Sequence, residues 1–582
     1  FLCLALRAPR IRGRNPGARL KTVQGIDYAV IAAYMALMLV IGYFSMRFNT
    51  RAADYFRGGN RIHWLAAGLS SFMSGFSAWT FTGAAGLAYK RGLIVVLLYV
   101  GNACTFLLGY FVFAGRWRRA RISTVMEYLV DRFDERTRQA FSWTTILFQL
   151  FIGASMLYGL GLFIGPPCGW PLSWTILGCG AVILGYCVVG GLWAVVITDF
   201  LQAAILLPFT LIMAGLSLWR LGGVGGLVHA LPPDMTSLAL TPGYGWIYAV
   251  SWTVMTSFGY NTAAMAQRYF SVDDERSARK VALLCFSLFF AGAFVWFIPP
   301  LAMRVMHPDL AALWPGLANP EESSYALAAI TLLPNGLIGI MLAAMLSATM
   351  SSVSGLLNVH SAIISRDIFP TLFPRRAGDA EKLAVGWAST FGVGATMTVL
   401  AMTMAASGES VFQVMLTFNT IMSLAYGPPA LLGLVVKRTP RWSGLAAFGV
   451  GLLIGCWGSF VLGWGLVANV AVIVPTSTAV FLLSGLLERG AAPGKEDLFR
   501  RLATAVDVDR ELADFPDPTA RVFRFLSGVT ALVGLLSLAL VFVAPAGERG
   551  TVIAYVAVTL ALSAALRLVH GARGRAPSGR TS

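Results

Sequence analysis

Charge is what this sequence has least of. Only 12% of its 582 residues are Asp, Glu, Lys or Arg, against 57% hydrophobic ones, and a soluble domain of this length carries about twice that charge. Cysteine and histidine are sparse and dispersed. The seven cysteines (Cys3, Cys104, Cys168, Cys179, Cys187, Cys285 and Cys456) form no C-x-x-C pair, which excludes a disulfide framework and a zinc knuckle. The five histidines (His63, His229, His307, His360 and His570) are scattered along the chain, which argues against a His-ligated redox centre. Alternating segments of about ten residues, the mark of a transmembrane barrel, are missing. So are carboxylates or histidines clustered at one depth, and no enzyme is expected.

What remains is apolar sequence in long runs. Segments of about 20 apolar residues recur along nearly the whole chain, the signature of an all-α polytopic membrane protein. About fifteen transmembrane helices are expected, at 24–46, 62–88, 92–114, 139–165, 172–190, 191–218, 243–268, 280–303, 335–364, 382–406, 410–436, 442–465, 467–487, 521–544 and 550–569. The net charge of +17 reads as topology, with no nucleic-acid partner expected. Lys and Arg gather in 47–61, 115–138, 269–280, 365–382, 437–441, 488–521 and 566–582. All of these fall on one side if the first span runs from outside to inside, and by the positive-inside rule that side is the cytoplasm. The expectation is a multi-pass protein of the cell (inner or plasma) membrane with a cytoplasmic C-terminus. Its partners would be membrane lipid and a small-molecule substrate, with no obligate protein partner evident.

Residues 1–23 are set aside as a tail: the opening apolar run is too short for a signal-peptide core, and basic residues follow it instead of preceding it. The stretches Phe72–Tyr89 and Ser251–Arg268 place Gly, Ser, Thr or Asn near mid-span and lie five spans apart. One reading is a pair of discontinuous helices in two inverted repeats, since unwound backbone is tolerated in a membrane where it lines a cavity or ion site. The other is close helix packing through small residues. The first divides the chain into a peripheral helix and loop (24–61), repeat one (62–218), repeat two (243–436), peripheral helices (437–487), a cytoplasmic loop (488–520) and two extra helices with a basic tail (521–582).

The most polar apolar span holds SATMSSVSGLLN, Ser347 to Asn358. At 100° per residue, Ser347, Ser351, Ser354, Asn358 and Ser361 share an arc of roughly 80°. Within that stripe the Ala348 carbonyl points at the hydroxyls of Ser351 and Ser352. Three oxygens from one turn, without formal charge, suit a weakly held monovalent hard cation. Unwound carbonyls near Met73–Phe76 could complete the shell. Interhelical hydrogen bonding through Ser and Thr is the alternative reading.

These residues resemble the sodium–solute symporter family over about residues 25–487, through DYFRGGNRIHWLAAGLS, RWRRARISTVMEYLVDRF, GGLWAVVITDFLQ, AQRYFS and LLPNGLIGIMLAAMLSATMSSVSGLLNVHSAIISRDIF. The resemblance implies a leucine-transporter-type fold with a 5+5 inverted-repeat core. It implies symport of a small organic solute (a sugar, amino acid, carboxylate, nucleoside or vitamin) with co-transported sodium, by alternating access. It places the shared sodium site on Met73, Phe76, Ala348, Ser351 and Ser352. Asp199 matches a carboxylate near the cytoplasmic sodium exit. Ser354 matches one of two serines of a second sodium site, but Gly355 occupies the other position, so one sodium is expected. Substrate residues do not transfer: Thr80, Met255, Phe258 and Gly75 stand where sugar- or proline-transporting members carry other residues. The pocket or gate expected here is Ser77, Trp79, Thr80, Asn102, Phe258, Asn261 and Thr420, with no obvious buried Arg or Lys in its lining. Alternatives on the same scaffold are a proton-coupled transporter and a transporter-like sensor.

Overall fold

The computed structural model describes residues 21–45, 62–76, 78–122, 124–186, 192–237, 240–241, 244–369, 379–488, 493–511 and 519–573. The elements that build the candidate site are α1 (Gly25–Ser45), α2 (Trp64–Ser74), α3 (Ala78–Phe81), α4 (Gly83–Arg91), α5 (Ile94–Leu108) and α6 (Glu135–Cys168). They continue with α7 (Leu192–Leu221), α8 (Trp246–Tyr260), α9 (Ala263–Phe270), α10 (Glu275–Val295), α11 (Leu337–Ile363), α12 (Asp379–Ser407) and α13 (Val411–Leu432). Three more close the chain: α14 (Pro493–Ala503), α15 (Thr519–Leu538) and α16 (Arg549–Arg573). The only strand pairing among the described residues is a short antiparallel one, Leu240–Thr241 with Tyr244–Gly245.

Ten helices among the described residues are long and apolar enough to cross a bilayer. The expected spans missing from that set differ for visible reasons. At 24–46 and 172–190 the helices run over Gly25–Ser45 and Leu172–Tyr186, and their fully described apolar parts are Gly25–Leu37 and Leu172–Leu184. At 410–436 helix α13 carries Gln413 and Asn419 and two internal prolines, Pro428 and Pro429. At 62–88 and 243–268 the helices are broken.

Polar caps start the long helices where the apolar runs begin. Asp134 accepts from the Thr137 backbone N–H at the start of α6, and Asp274 from that of Ser277 at the start of α10, each at 2.7 Å. Such side-chain acceptors satisfy N–H groups that no intrahelical carbonyl can reach. The first break follows α2. Gly75 N–H turns back to the carbonyls of Ser71 and Phe72, Phe76 N–H to that of Met73, and the helix resumes at Ala78. The second break falls at Asn261 and Thr262, where Thr262 is extended. There the Asn261 side chain does the missing backbone work: its Nδ2 donates to the Ser257 carbonyl (2.9 Å) and to the Thr105 carbonyl of α5 (3.1 Å).

Helix α11 packs against α1, α6, α7 and α12, and touches both α2 and α3. Away from the stripe, α11 carries Met345, Val353 and Leu357. All three are fully buried, so the apolar side packs against protein. The C-terminal pair α15–α16 leans on α7. Ser527 and Ser563 exchange hydroxyl-to-carbonyl bonds across that pair, at 3.0 and 2.8 Å.

Candidate functional site

The polar stripe of α11 meets a different partner at each turn. Ser347 accepts from Gln202 Nε2 of α7, at 2.9 Å to its hydroxyl and 3.1 Å to its carbonyl. Two residues on, Thr349 Oγ1 accepts from the Ala78 backbone N–H at 3.3 Å. Thr349 lies across the helix from the stripe, and this bond ties that side of α11 to the restart of the first broken helix, where Ala78 N–H has no helical carbonyl of its own. Ser351 donates to Asp199 Oδ1 at 2.5 Å, and Ser352 to the Ala348 carbonyl at 3.2 Å. Ser354 turns back to the Ser351 carbonyl (3.0 Å), and Ser361 reaches the Gly386 carbonyl of α12 (2.9 Å). The side chain of Asn358 lies outside the described set.

Ala348, Ser351 and Ser352 lie within three residues of Thr349, whose bond joins their helix to the restart after the first break. Met73 and Phe76, both buried, lie at that break. The donor set is made of hydroxyl and carbonyl oxygens only, which fits a hard monovalent cation and suits a soft transition metal poorly. A serine that gives its one proton to a carboxylate also keeps its oxygen lone pairs available on the other side.

Asp199 is buried on α7 and holds more than Ser351. Its Oδ2 accepts from Ser70 of α2 at 2.6 Å, and Arg268 Nη2 of α9 lies 3.7 Å away. Arg268 is itself buried; it belongs to the second half of the second broken helix and not to the expected pocket lining. Arg268 and Ser70 escaped the sequence reading. The visible signal was the AQRYFS stretch, which contains the arginine.

Seven residues were expected at the pocket or gate. Ser77 lies outside the described residues. Trp79 and Asn102 come together with two residues the sequence did not single out, Trp252 and Phe412, while Thr420 meets Met255 and Thr80 meets Tyr99. Trp252 Nε1 donates to Asn102 Oδ1 (2.8 Å), Thr420 Oγ1 to Met255 Sδ (3.1 Å), and Tyr99 to Thr80 Oγ1 (3.4 Å). The rings of Trp79, Trp252 and Phe412 are nearly parallel, with centroids 5.8 to 6.3 Å apart. Three elements, α3, α8 and α13, thus meet through aromatic faces, in the offset arrangement that ring quadrupoles favour. Phe258 lies against Gly427 of α13, where an added Cβ would stand 2.2 Å from the Phe258 Cβ. Asn261 stands apart from this group: it is fully buried, braces the second break, and its carbonyl accepts from Trp117 Nε1 at 2.9 Å.

The profile of the sodium:solute symporter family matches residues 55–451. The chain is 26% identical over 468 residues to the sodium/sialic acid symporter of Proteus mirabilis, covering 77% of this chain and 93% of that one. It is also 26% identical over 474 residues to sodium/glucose cotransporter 2 of Rattus norvegicus, covering 74% of this chain and 70% of the relative. Among solved structures, a substrate-bound, outward-open sodium-coupled sialic acid symporter superposes with a TM-score of 0.67 at 23% identity. The match covers 81% of this chain and 99% of that one, a likeness of fold.

Proposed function

Since this chain belongs to the sodium:solute symporter family, with sodium as its coupling ion, we propose that it imports a small polar organic solute by alternating access. One sodium bound between α11 and the first helix break drives the cycle. The observation that supports this reading is the bond from Ala78 N–H to Thr349 Oγ1, which ties α11 to the restart of the first broken helix two residues before Ser351. Met73, Phe76, Ala348, Ser351 and Ser352 are the ligands of this reading.

Sodium entering from outside would bridge the two elements and stabilise the form with an assembled pocket. Solute binding and rocking of the repeats follow, and sodium loss to the cytoplasm frees the solute. Repeats 62–218 and 243–436 each open on a broken helix, as two halves of inverted topology would. The C-terminus then lies in the cytoplasm. Ser354 is engaged with the Ser351 carbonyl, and Gly355 offers no side-chain oxygen, which favours one ion over two. One charge moving down ~100 mV yields ~2.3 kcal/mol, and a tenfold gradient adds ~1.4 kcal/mol. Together they hold a neutral solute gradient of about several hundredfold, enough for nutrient uptake.

The solute would contact Trp79, Thr80, Asn102, Phe258 and Thr420, with Ser77 beside them in sequence and Asn261 behind as a brace. Relatives named for glucose and sialic acid put polyhydroxylated compounds first among candidates. The three parallel rings offer apolar faces for the C–H side of such a molecule.

A thermal-shift screen of sugars, polyols, sialic acids and amino acids, with sodium or choline, tests the reading: the true solute stabilises the protein only with sodium present. Uptake of that solute into proteoliposomes then tests the site. The Ser351→Ala, Ser352→Ala double variant should need far more sodium for half-maximal uptake. Wild-type sodium dependence in that variant would remove these serines from the site.

A further inference from the structure

We infer that Arg268 keeps sodium binding weak and reversible, as the counter-charge that neutralises Asp199 behind the ligand Ser351. The inference rests on the sodium site proposed above and concerns a residue that acts through Asp199 and Ser351. Arg268 is a positioning residue.

The contacts form one continuous chain. Ser351 gives its proton to Asp199 Oδ1 at 2.5 Å, which leaves its oxygen lone pairs free to accept a cation. The other carboxylate oxygen, Oδ2, accepts from Ser70 at 2.6 Å. Ser70 Oγ in turn accepts from Arg268 Nε at 3.3 Å and Nη2 at 3.2 Å. The guanidinium is steered further by Ser74 Oγ (3.0 Å, from Nη2) and Gln267 Oε1 (3.2 Å, from Nη1). Its Nη2 stands 3.7 Å from Asp199 Oδ2. From the elements packed around Asp199, α2 presents a hydroxyl, α11 presents a hydroxyl, and α9 presents the charge.

Formal charge follows from this geometry. Asp199 and Arg268 sum to zero, and the five proposed ligands are neutral, so a bound sodium brings one uncompensated positive charge into a buried site. That suits an ion that must leave in every cycle. Without Arg268, a bare carboxylate would stand one hydrogen bond behind Ser351, and in a buried site its attraction for the cation is far stronger than in water. A guanidinium is suited to the task because it stays charged when buried and spreads its donors over several acceptors.

The test is equilibrium binding of radiolabelled sodium to the purified full-length chain, with choline holding ionic strength constant. Arg268→Gln should tighten sodium binding by about tenfold, whereas Arg268→Lys should stay near wild type. Weakened or unchanged binding in Arg268→Gln overturns the inference, because loss of a merely structural arginine would loosen the site. Should Arg268→Gln not fold, Asp199→Asn carries the same test. Its lone arginine should weaken binding by about tenfold, and the Asp199→Asn, Arg268→Gln double variant should recover it. No recovery overturns the inference. The Ser351→Ala, Ser352→Ala variant separates the two levels: if it binds sodium like wild type, the site itself is misplaced; if it loses sodium while Arg268→Gln is not tighter, only the role of Arg268 fails.

Discussion

Asp27 Oδ1 lies 2.5 Å from the backbone nitrogen of Gly336. The same oxygen accepts from the Gly339 N–H at 2.9 Å, while Oδ2 takes Asn335 Nδ2 at 2.7 Å. A fully buried carboxylate on α1 thus caps the N-terminus of α11 from outside that helix. Nearby, Lys21 reaches both the Leu333 carbonyl (2.9 Å) and Glu548 (2.5 Å). The beginnings of α1, α11 and α16 are joined at one end of the molecule. Helix N-termini favour negative charge and need acceptors for their first N–H groups.

Removing that carboxylate should loosen the helix that carries the serines proposed to bind sodium. Asp27→Ala is expected to cost about 2 kcal/mol, read as an earlier midpoint in denaturing-detergent unfolding. Asp27→Asn, which keeps one acceptor oxygen, should lose less. Equal midpoints for wild type and Asp27→Ala would show that the cap does not hold α11.

A second cap makes a pH-dependent prediction. Glu322 accepts from Ser410 Oγ at 2.6 Å and from the backbone N–H groups of Val411 and Phe412 at 3.2 Å, at the start of α13. Burial pushes its carboxyl above the ordinary range, against the pull of those donors. A carboxyl raised in the folded state binds its proton more tightly folded than unfolded. Its stabilising contribution is therefore complete below the unfolded value and is lost as pH climbs through the folded one. Glu322→Gln cannot ionise and escapes that loss. Its thermal midpoint relative to wild type should rise between about pH 5 and about pH 8; a difference that shrinks over that window would reverse the sign.

The helix breaks and the α11 stripe were legible because both defy a strong rule. Gly, Ser, Thr and Asn in mid-span are costly in lipid, so their positions mark where backbone or hydroxyls face protein. Arg268 and Asp27 were illegible for the opposite reason. Each sits near the end of an apolar run, where a charge is ordinary, and only packing of α9 against α2, or of α1 against α11, turns it into a buried partner. Trp252 and Phe412 share that fate: an aromatic ring in an apolar span looks like any other until three elements bring their faces together. Hydropathy marks 62–88 and 243–268 as apolar segments but does not show where the helix inside each one breaks.

The segment after the last family-like span supplies the final prediction. Residues 493–511, expected as a plain loop, contain α14 and dock through arginines. Arg121, with φ of 54°, pairs with Glu511 (2.7 Å) and donates to the carbonyls of Arg501 (3.1 Å) and Ala505 (2.9 Å). Arg501 returns a bond to the Ala120 carbonyl (2.8 Å) and pairs with Asp131. If the charges dominated, Glu511→Ala and Arg121→Ala would release the segment equally. Partly exposed ion pairs contribute only about 0–1 kcal/mol and fade with salt, whereas losing Arg121 also strands carbonyls that it serves. Limited trypsin digestion at Arg500, Arg501 and Arg510 should therefore speed up most in Arg121→Ala and only slightly in Glu511→Ala. The small Glu511→Ala effect should vanish in high salt. Equal rates in the two variants would assign the docking to the ion pair instead of to the carbonyl contacts.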